Sequence, residues 1–191
     1  MESLNRMAIE LVDEAIDFAD ELAVEVDQLE GDAAALDFGV AVPGGLEAGL
    51  LLAEITTAGL ATVSARVEDV AGAPLTHVDV ATDHPALALL CAGKAGWELE
   101  TENFEGLGSG PARALVAEED VYGRLGYRDD FDMAVLAVET DSLPGQDVAA
   151  VVAERAGVPE SAVFLIAYRS ASLTGSAMGA ARPAELATFR L

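Results

Sequence analysis

The sequence predicts a mixed α/β domain of the α+β type, with helices packed on mixed sheets. Three observations predict it. Apolar residues recur at helical spacing in some stretches and alternate or run continuously in others, so both element types are present. Strands and helices mix without strict alternation, which argues against a doubly wound sheet. The 191 residues are 52% hydrophobic, enough to bury a core and too many for a disordered chain.

The elements follow in order. Leu4, Ala8, Leu11, Ala15, Phe18 and Leu22 mark an opening amphipathic helix. Val24 and Val26 alternate with Glu25 and Asp27 as a strand, Glu30 to Asp32 turn, and Ala33 to Val40 return. After Pro43-Gly44-Gly45, residues Leu46 to Thr57 read as a helix. Ala61 to Val70 and Leu75 to Thr82 read as strands around a turn at Ala71 to Pro74. His84 to Ala95 reads as a helix with Pro85 in its first turn, and Trp97 to Thr101 as a strand. Gly108-Ser109-Gly110 reads as a turn before a helix that starts at Pro111. Met133 to Glu139 and Val163 to Tyr168 are apolar runs of buried strands. The helix between them, about Asp147 to Arg155, is stopped by Gly157 and Pro159.

Charge narrows the function classes. Thirty-four acidic residues face ten basic ones, a formal net charge of -24. That balance excludes nucleic acid and anionic membrane as partners. The acids are spread along the chain, and nine of the ten cations are arginine. Such a surface suits a halophilic protein in a salt-rich cytoplasm, where salt screens the repulsion. The N-terminus carries acids through its apolar pattern, unlike a signal peptide. No stretch is a membrane span. One cysteine rules out an internal disulfide framework, so a cytoplasmic location is expected.

Few residues offer chemistry. His77, Asp79, Asp83 and His84 are close in sequence, but two histidines without a cysteine pair read as a solvated strand face and turn. Cys91 sits in the apolar run ALALLCAG as a buried thiol. Gly93-Lys94-Ala95 lacks the Ser or Thr of a phosphate-binding loop. Gly108, Ser109, Gly110 and Arg113 admit two readings: an anion site at a helix start, or a tight turn with a capped helix. Lys94 is the only lysine, and a surface that sheds lysine keeps one where a compact ammonium has a task. Arg182 and Glu185 stand one turn apart if helical, as a surface pair or as an oriented base.

Larger pieces make the chain recognisable. LDFGV (Leu36 to Val40), TDHPALALLCAGKAGW (Thr82 to Trp97), GLGSGPARAL (Gly106 to Leu115) and LGYRDD (Leu125 to Asp130) occur in this order. LPGQDV (Leu143 to Val148), ASLTGS (Ala171 to Ser176) and the R-x-x-E of Arg182 to Glu185 follow. Together they resemble the methenyl-tetrahydromethanopterin cyclohydrolase family over nearly the whole chain. The resemblance implies a hydrolase of one-carbon metabolism that opens the methenyl bridge of a reduced pterin with water. It implies no metal or organic cofactor, a homotrimer, and a pterin bound between two α-β domains.

It also implies site residues. Glu185 would take the proton from water, and Arg182 would hold that carboxylate in place and keep its pKa low. Lys94 with Gly108, Ser109, Gly110 and Arg113 would form a positive patch for the acidic pterin tail. Ser172, Gly175 and Ser176 of ASLTGS would also contact substrate. Pro183 departs from the family pattern, and a helix starting there keeps the Arg182–Glu185 spacing. The family's chains are longer, so this sequence is expected to be the N-terminal part of the fold. Residues 1–168 would form the main domain, and 169–191 the start of the second-domain segment. Two alternatives stay open: the substrate is the methenyl-tetrahydrofolate analogue, or the chain is an inactive pterin-binding remnant.

Overall fold

The computed structural model describes residues 2–190. Helix α1 (Leu4–Asp17) opens the chain, with the Ser3 hydroxyl accepting from the Arg6 amide at 3.0 Å as its N-cap. Leu4, Ala8, Val12 and Ala15, four residues or fewer apart, form its buried stripe. The helix expected to reach Leu22 breaks at Phe18, and a single turn, α2 (Ala19–Leu22), follows. Ala23, with φ of 54°, ends it.

Strands β1 (Glu25–Gln28) and β2 (Ala34–Asp37) form the expected antiparallel pair. Helix α3 (Leu46–Thr56) follows. Strands β3 (Thr62–Val70) and β4 (Ala73–Ala81) form a separate hairpin. Its two central residues, Ala71 and Gly72, have φ of 53° and 85°, the geometry that matches strand twist in a two-residue turn. Residues Ala86–Ala92 then coil as a π-helix rather than the ordinary helix expected from His84 to Ala95. Ala95 already belongs to strand β5 (Ala95–Glu100).

The glycine-rich segment is the main correction. Gly108 and Ser109, expected in a turn, instead end strand β6 (Glu105–Ser109), which pairs with β5 on one side and β7 (Ala134–Thr140) on the other. The turn is confined to Gly110, at φ of 119°. Two short helices, α4 (Ala112–Val116) and α5 (Asp120–Leu125), precede β7. Helix α6 (Gln146–Ala156) and strand β8 (Val163–Tyr168) then complete a parallel crossover with β7. Helices α7 (Leu173–Ala181) and α8 (Pro183–Phe189) end the described chain.

The main sheet has six strands in the order β1-β2-β8-β7-β6-β5. β2, β8 and β7 are mutually parallel, and the outer strands are antiparallel to their neighbours. The apolar runs of β7 and β8 are continuous because both faces are covered. Val135, Ala137, Ile166 and Tyr168 join the core beneath α1, α3 and α7. Leu136, Val138, Val163 and Leu165 join a second core with α4 and α6. Period-two side chains therefore find apolar cover at every position. Among the described residues no helix is long and apolar enough to cross a membrane.

Candidate functional site

The carboxyl ends of the three parallel strands lie side by side, the place where open α/β sheets expose loops to ligands. β2 ends on Asp37, whose buried carboxylate accepts from four successive amides, Gly39 to Val42, at 2.6–3.1 Å. Beside it, Glu139 of β7 stands in register with Tyr168 of β8. Next come Ser170 and the start of α7.

Ser172 caps α7: its hydroxyl accepts from the Gly175 amide at 2.9 Å. A Cβ on Gly175 would collide with the Arg169 carbonyl, so this turn needs glycine for close approach. The Ser176 hydroxyl donates to the Ser172 carbonyl at 2.9 Å. The three residues expected to touch substrate are thus bound up in building the α7 start.

Helix α7 ends at Arg182 and α8 begins at Pro183. Proline fits there because a first-turn position needs no N–H donor. The Glu185 amide donates to the Arg182 carbonyl at 3.1 Å, so the turn between them is formed. Both side chains line a small, half-open pocket with Thr56, Thr57, Leu89 and Met178.

The expected role of Arg182 needs correction. No side-chain cation lies within 4.0 Å of the Glu185 carboxylate among the described residues. The guanidinium turns the other way, with Nη1 3.2 Å from Glu139 and Nη2 donating to the Tyr168 hydroxyl at 3.3 Å. Nor is the Glu185 pKa held low. Burial raises it above its ordinary value, and the opposing pull of Arg182, Arg113, Lys94 and the Ala95 amide is the smaller effect.

Lys94 follows the π-helical segment. Its ammonium is 3.1 Å from Glu119 and 5.5 Å from the centre of the Phe189 ring on α8. Arg113 is not part of an outward patch, because its side chain is fully buried. It donates to Glu119 through Nε at 3.0 Å and Nη2 at 2.5 Å, and through Nη1 to the carbonyls of Ala92 and Lys94. Glu119 bridges both cations. Burial works against its charge, yet the Arg113 and Lys94 contacts overcome burial and hold its carboxyl below its ordinary value.

Gly108 and Ser109 are buried inside β6, and α4 is too short to present a helix start to a ligand. The Gly110 amide donates to the Ala92 carbonyl at 3.1 Å. The structure brings together Lys94, Arg113, Arg182 and Glu185. It leaves Gly108, Ser109 and Gly110 as the framework that carries Arg113.

Other candidates are placed elsewhere. Asp79 is paired with Arg66 at 2.6 Å on the hairpin. No group of three or more His, Cys, Asp or Glu side chains is placed to hold a metal ion among the described residues. Cys91 is buried, and burial pushes its thiol up to about 11, so it stays protonated. The sequence reading missed Glu119, Glu139 and Tyr168. Only their place at the ends of apolar runs, as for Glu139 and Tyr168, offered a signal.

Comparison with known proteins adds a family. The family model described as "Cyclohydrolase (MCH)" matches residues 3–191. The chain is 56% identical over 191 residues to the methenyltetrahydromethanopterin cyclohydrolase of Halobacterium salinarum, covering 100% of this chain and 61% of that one. It is 40% identical over 194 residues to the protein of that name from Methanocaldococcus jannaschii, covering 100% and 60%. The counterpart from Methanothermobacter thermautotrophicus is 38% identical over 194 residues, with 100% and 61% covered. The chain thus spans about three fifths of the length of these relatives.

Proposed function

The chain belongs to the cyclohydrolase (MCH) family, and from that premise we propose that it hydrolyses the methenyl bridge of methenyltetrahydromethanopterin to formyl-tetrahydromethanopterin. The observation that carries this reading is Glu185: a partly buried carboxylate on the wall of a pocket, free of an ion pair among the described residues, with three cations nearby. A carboxylate so placed can accept a proton, and its raised pKa brings it nearer the working range of a general base.

The chemistry asks little more of the chain. The methenyl carbon belongs to a cationic amidinium and is already electrophilic, so the reading requires no metal or organic cofactor. Glu185 takes one proton from water as the oxygen bonds to carbon. One carbon–nitrogen bond then breaks as the proton of the new hydroxyl passes to the leaving nitrogen, which ends as a neutral N–H, and the oxygen becomes the formyl carbonyl. Overall, one water is consumed and one proton released. Arg182 lines the same pocket. Lys94, half-buried and paired with Glu119, is assigned to the anionic tail of the pterin.

The wider setting is proposed on the same footing. Residues 1–168 form the main domain, and 169–191 begin the segment that faces the cleft. The acidic surface and the scarcity of lysine support a salt-rich cytoplasm and a halophilic protein. Assembly as a homotrimer follows from the family reading.

The test is side-by-side incubation, at molar potassium chloride, with methenyl-tetrahydromethanopterin and methenyl-tetrahydrofolate. The expected result is loss of near-ultraviolet absorbance with the first, faster than with the second. A preference for the folate compound would overturn the substrate assignment, and loss of neither would overturn the activity.

A further inference from the structure

Arg182 borders two depressions. One is the cavity that it shares with Glu185. The other is an open trough across the ends of β5, β6 and β7, lined by Glu98, Glu100, Glu105, Glu139 and Asp141. Arg182 is the one cation among the described residues that line the trough. The side chain therefore has two anionic destinations, Glu185 one turn ahead and Glu139 on the sheet.

It takes the second, where a socket is built for it. Glu139 and Tyr168 are register partners on adjacent parallel strands, so their side chains share one face. Tyr168 is 1% exposed, and its hydroxyl accepts from Nη2 of Arg182 and donates to Glu139 at 3.4 Å. The Ser170 hydroxyl donates to the other Glu139 oxygen at 2.5 Å, fixing the carboxylate from behind. Nη1 of Arg182 reaches the Glu139 oxygen that faces it at 3.2 Å. The Arg182 and Glu139 side chains are each 29% exposed, so this is more than a loose surface contact.

We propose that Glu139 is a positioning residue for Arg182: together with Tyr168 it holds the guanidinium against the strand ends and keeps it from pairing with Glu185. The proposal rests on reading Glu185 as the base, and gives that base its freedom. An arginine released from Glu139 has Glu185 within one helical turn and closes on it, leaving a carboxylate that is ion-paired and a weaker acceptor of protons. The charged groups facing Glu185 are Arg182 from the α7–α8 junction, Arg113 from α4 and Lys94 from the end of the π-helical segment, and the Ala95 amide of β5 also faces it. Those facing Glu139 are Arg182 and the Tyr168 and Ser170 hydroxyls, with the acids of the trough beside them.

The experiment titrates Glu185 directly by carbon-13 NMR of labelled glutamate carboxyls, with Glu185→Gln used to assign the signal. It needs no turnover, so it is decided independently of the catalytic reading. In Glu139→Gln the Glu185 midpoint should fall by roughly 1–3 pH units, the effect of gaining an adjacent guanidinium. Tyr168→Phe removes no charge and should shift it the same way by less. In an Arg182→Gln background, Glu139→Gln should leave the midpoint in place. An unmoved midpoint in Glu139→Gln, or an equal shift with and without Arg182, overturns the proposal, because a purely structural or direct-field role would then suffice. Should Glu139→Gln fail to fold, Tyr168→Phe decides: a downward shift supports the proposal and none overturns it.

Discussion

The Arg182 guanidinium lies 3.2 Å from Glu139 and makes no ion pair with Glu185, although Glu185 is one helical turn away. The two residues that sequence spacing joins as a catalytic pair are neighbours that face different partners. Burial thus dominates the protonation of Glu185.

The pH dependence of turnover follows. As the proposed base, Glu185 would work only when ionised, and its pKa is raised from the ordinary 4.5. The acidic limb of the kcat profile should therefore lie above pH 4.5, and activity should be lost as pH falls through the raised value. For stability the sign is opposite. The folded state holds this proton more tightly, so the Glu185 contribution falls as pH rises from 4.5 through the raised pKa. A kcat profile flat down to pH 4 would contradict the assignment.

Glu119 is expected to matter for stability. Arg113 is fully buried and Glu119 is its only carboxylate partner among the described residues. Glu119→Gln leaves that charge uncompensated and should cost about 3–5 kcal/mol. Because the Glu119 pKa is lowered, its contribution is complete above 4.5 and is lost as pH falls through the lowered value. Denaturant unfolding of wild type and variant at pH 7 measures the difference. Equal midpoints would show that the bridge stabilises nothing.

On the proposed assignment of Lys94 to the pterin tail, Lys94→Ala should raise KM with kcat little changed, since such a contact is present before and during reaction. Steady-state kinetics separate the two parameters. A fall in kcat at unchanged KM would place the ammonium at the reacting centre instead.

Much of this arrangement is legible in the sequence, and the exceptions have physical causes. The apolar runs of β7 and β8 announce strands covered on both faces, and the structure covers both. Pro183 at the first position of α8 keeps the Arg182–Glu185 turn, as proline geometry requires. Strand β6 was hidden because its glycines imitate a turn. They are there for packing: a Cβ on Gly108 would come within 3.1 Å of Leu136 and Trp97, and one on Gly106 within 2.7 Å of Val138. Glu119 and Glu139 were hidden for another reason. Among 34 acidic residues, sequence spacing does not mark the few that fold against a buried or half-buried arginine.

Salt should control the fold. At a net charge of -24, self-repulsion is strong in dilute buffer and screened within a few ångströms at molar salt. The melting temperature, followed through the buried Trp97, should rise between dilute buffer and molar potassium chloride. A value independent of salt would show that the acidic surface is not an adaptation to it.

The central claim is that Glu185 is the base of a cyclohydrolase, and stopped-flow absorbance of methenyl-tetrahydromethanopterin with wild type and Glu185→Gln tests it most directly. The amide keeps the shape of the side chain but cannot accept a proton from water at neutral pH. The predicted result is turnover by the wild-type chain and a loss of ~100- to 10,000-fold in kcat for the variant, with KM nearly unchanged. Wild-type kcat in the Glu185→Gln protein would contradict the account and place the base elsewhere.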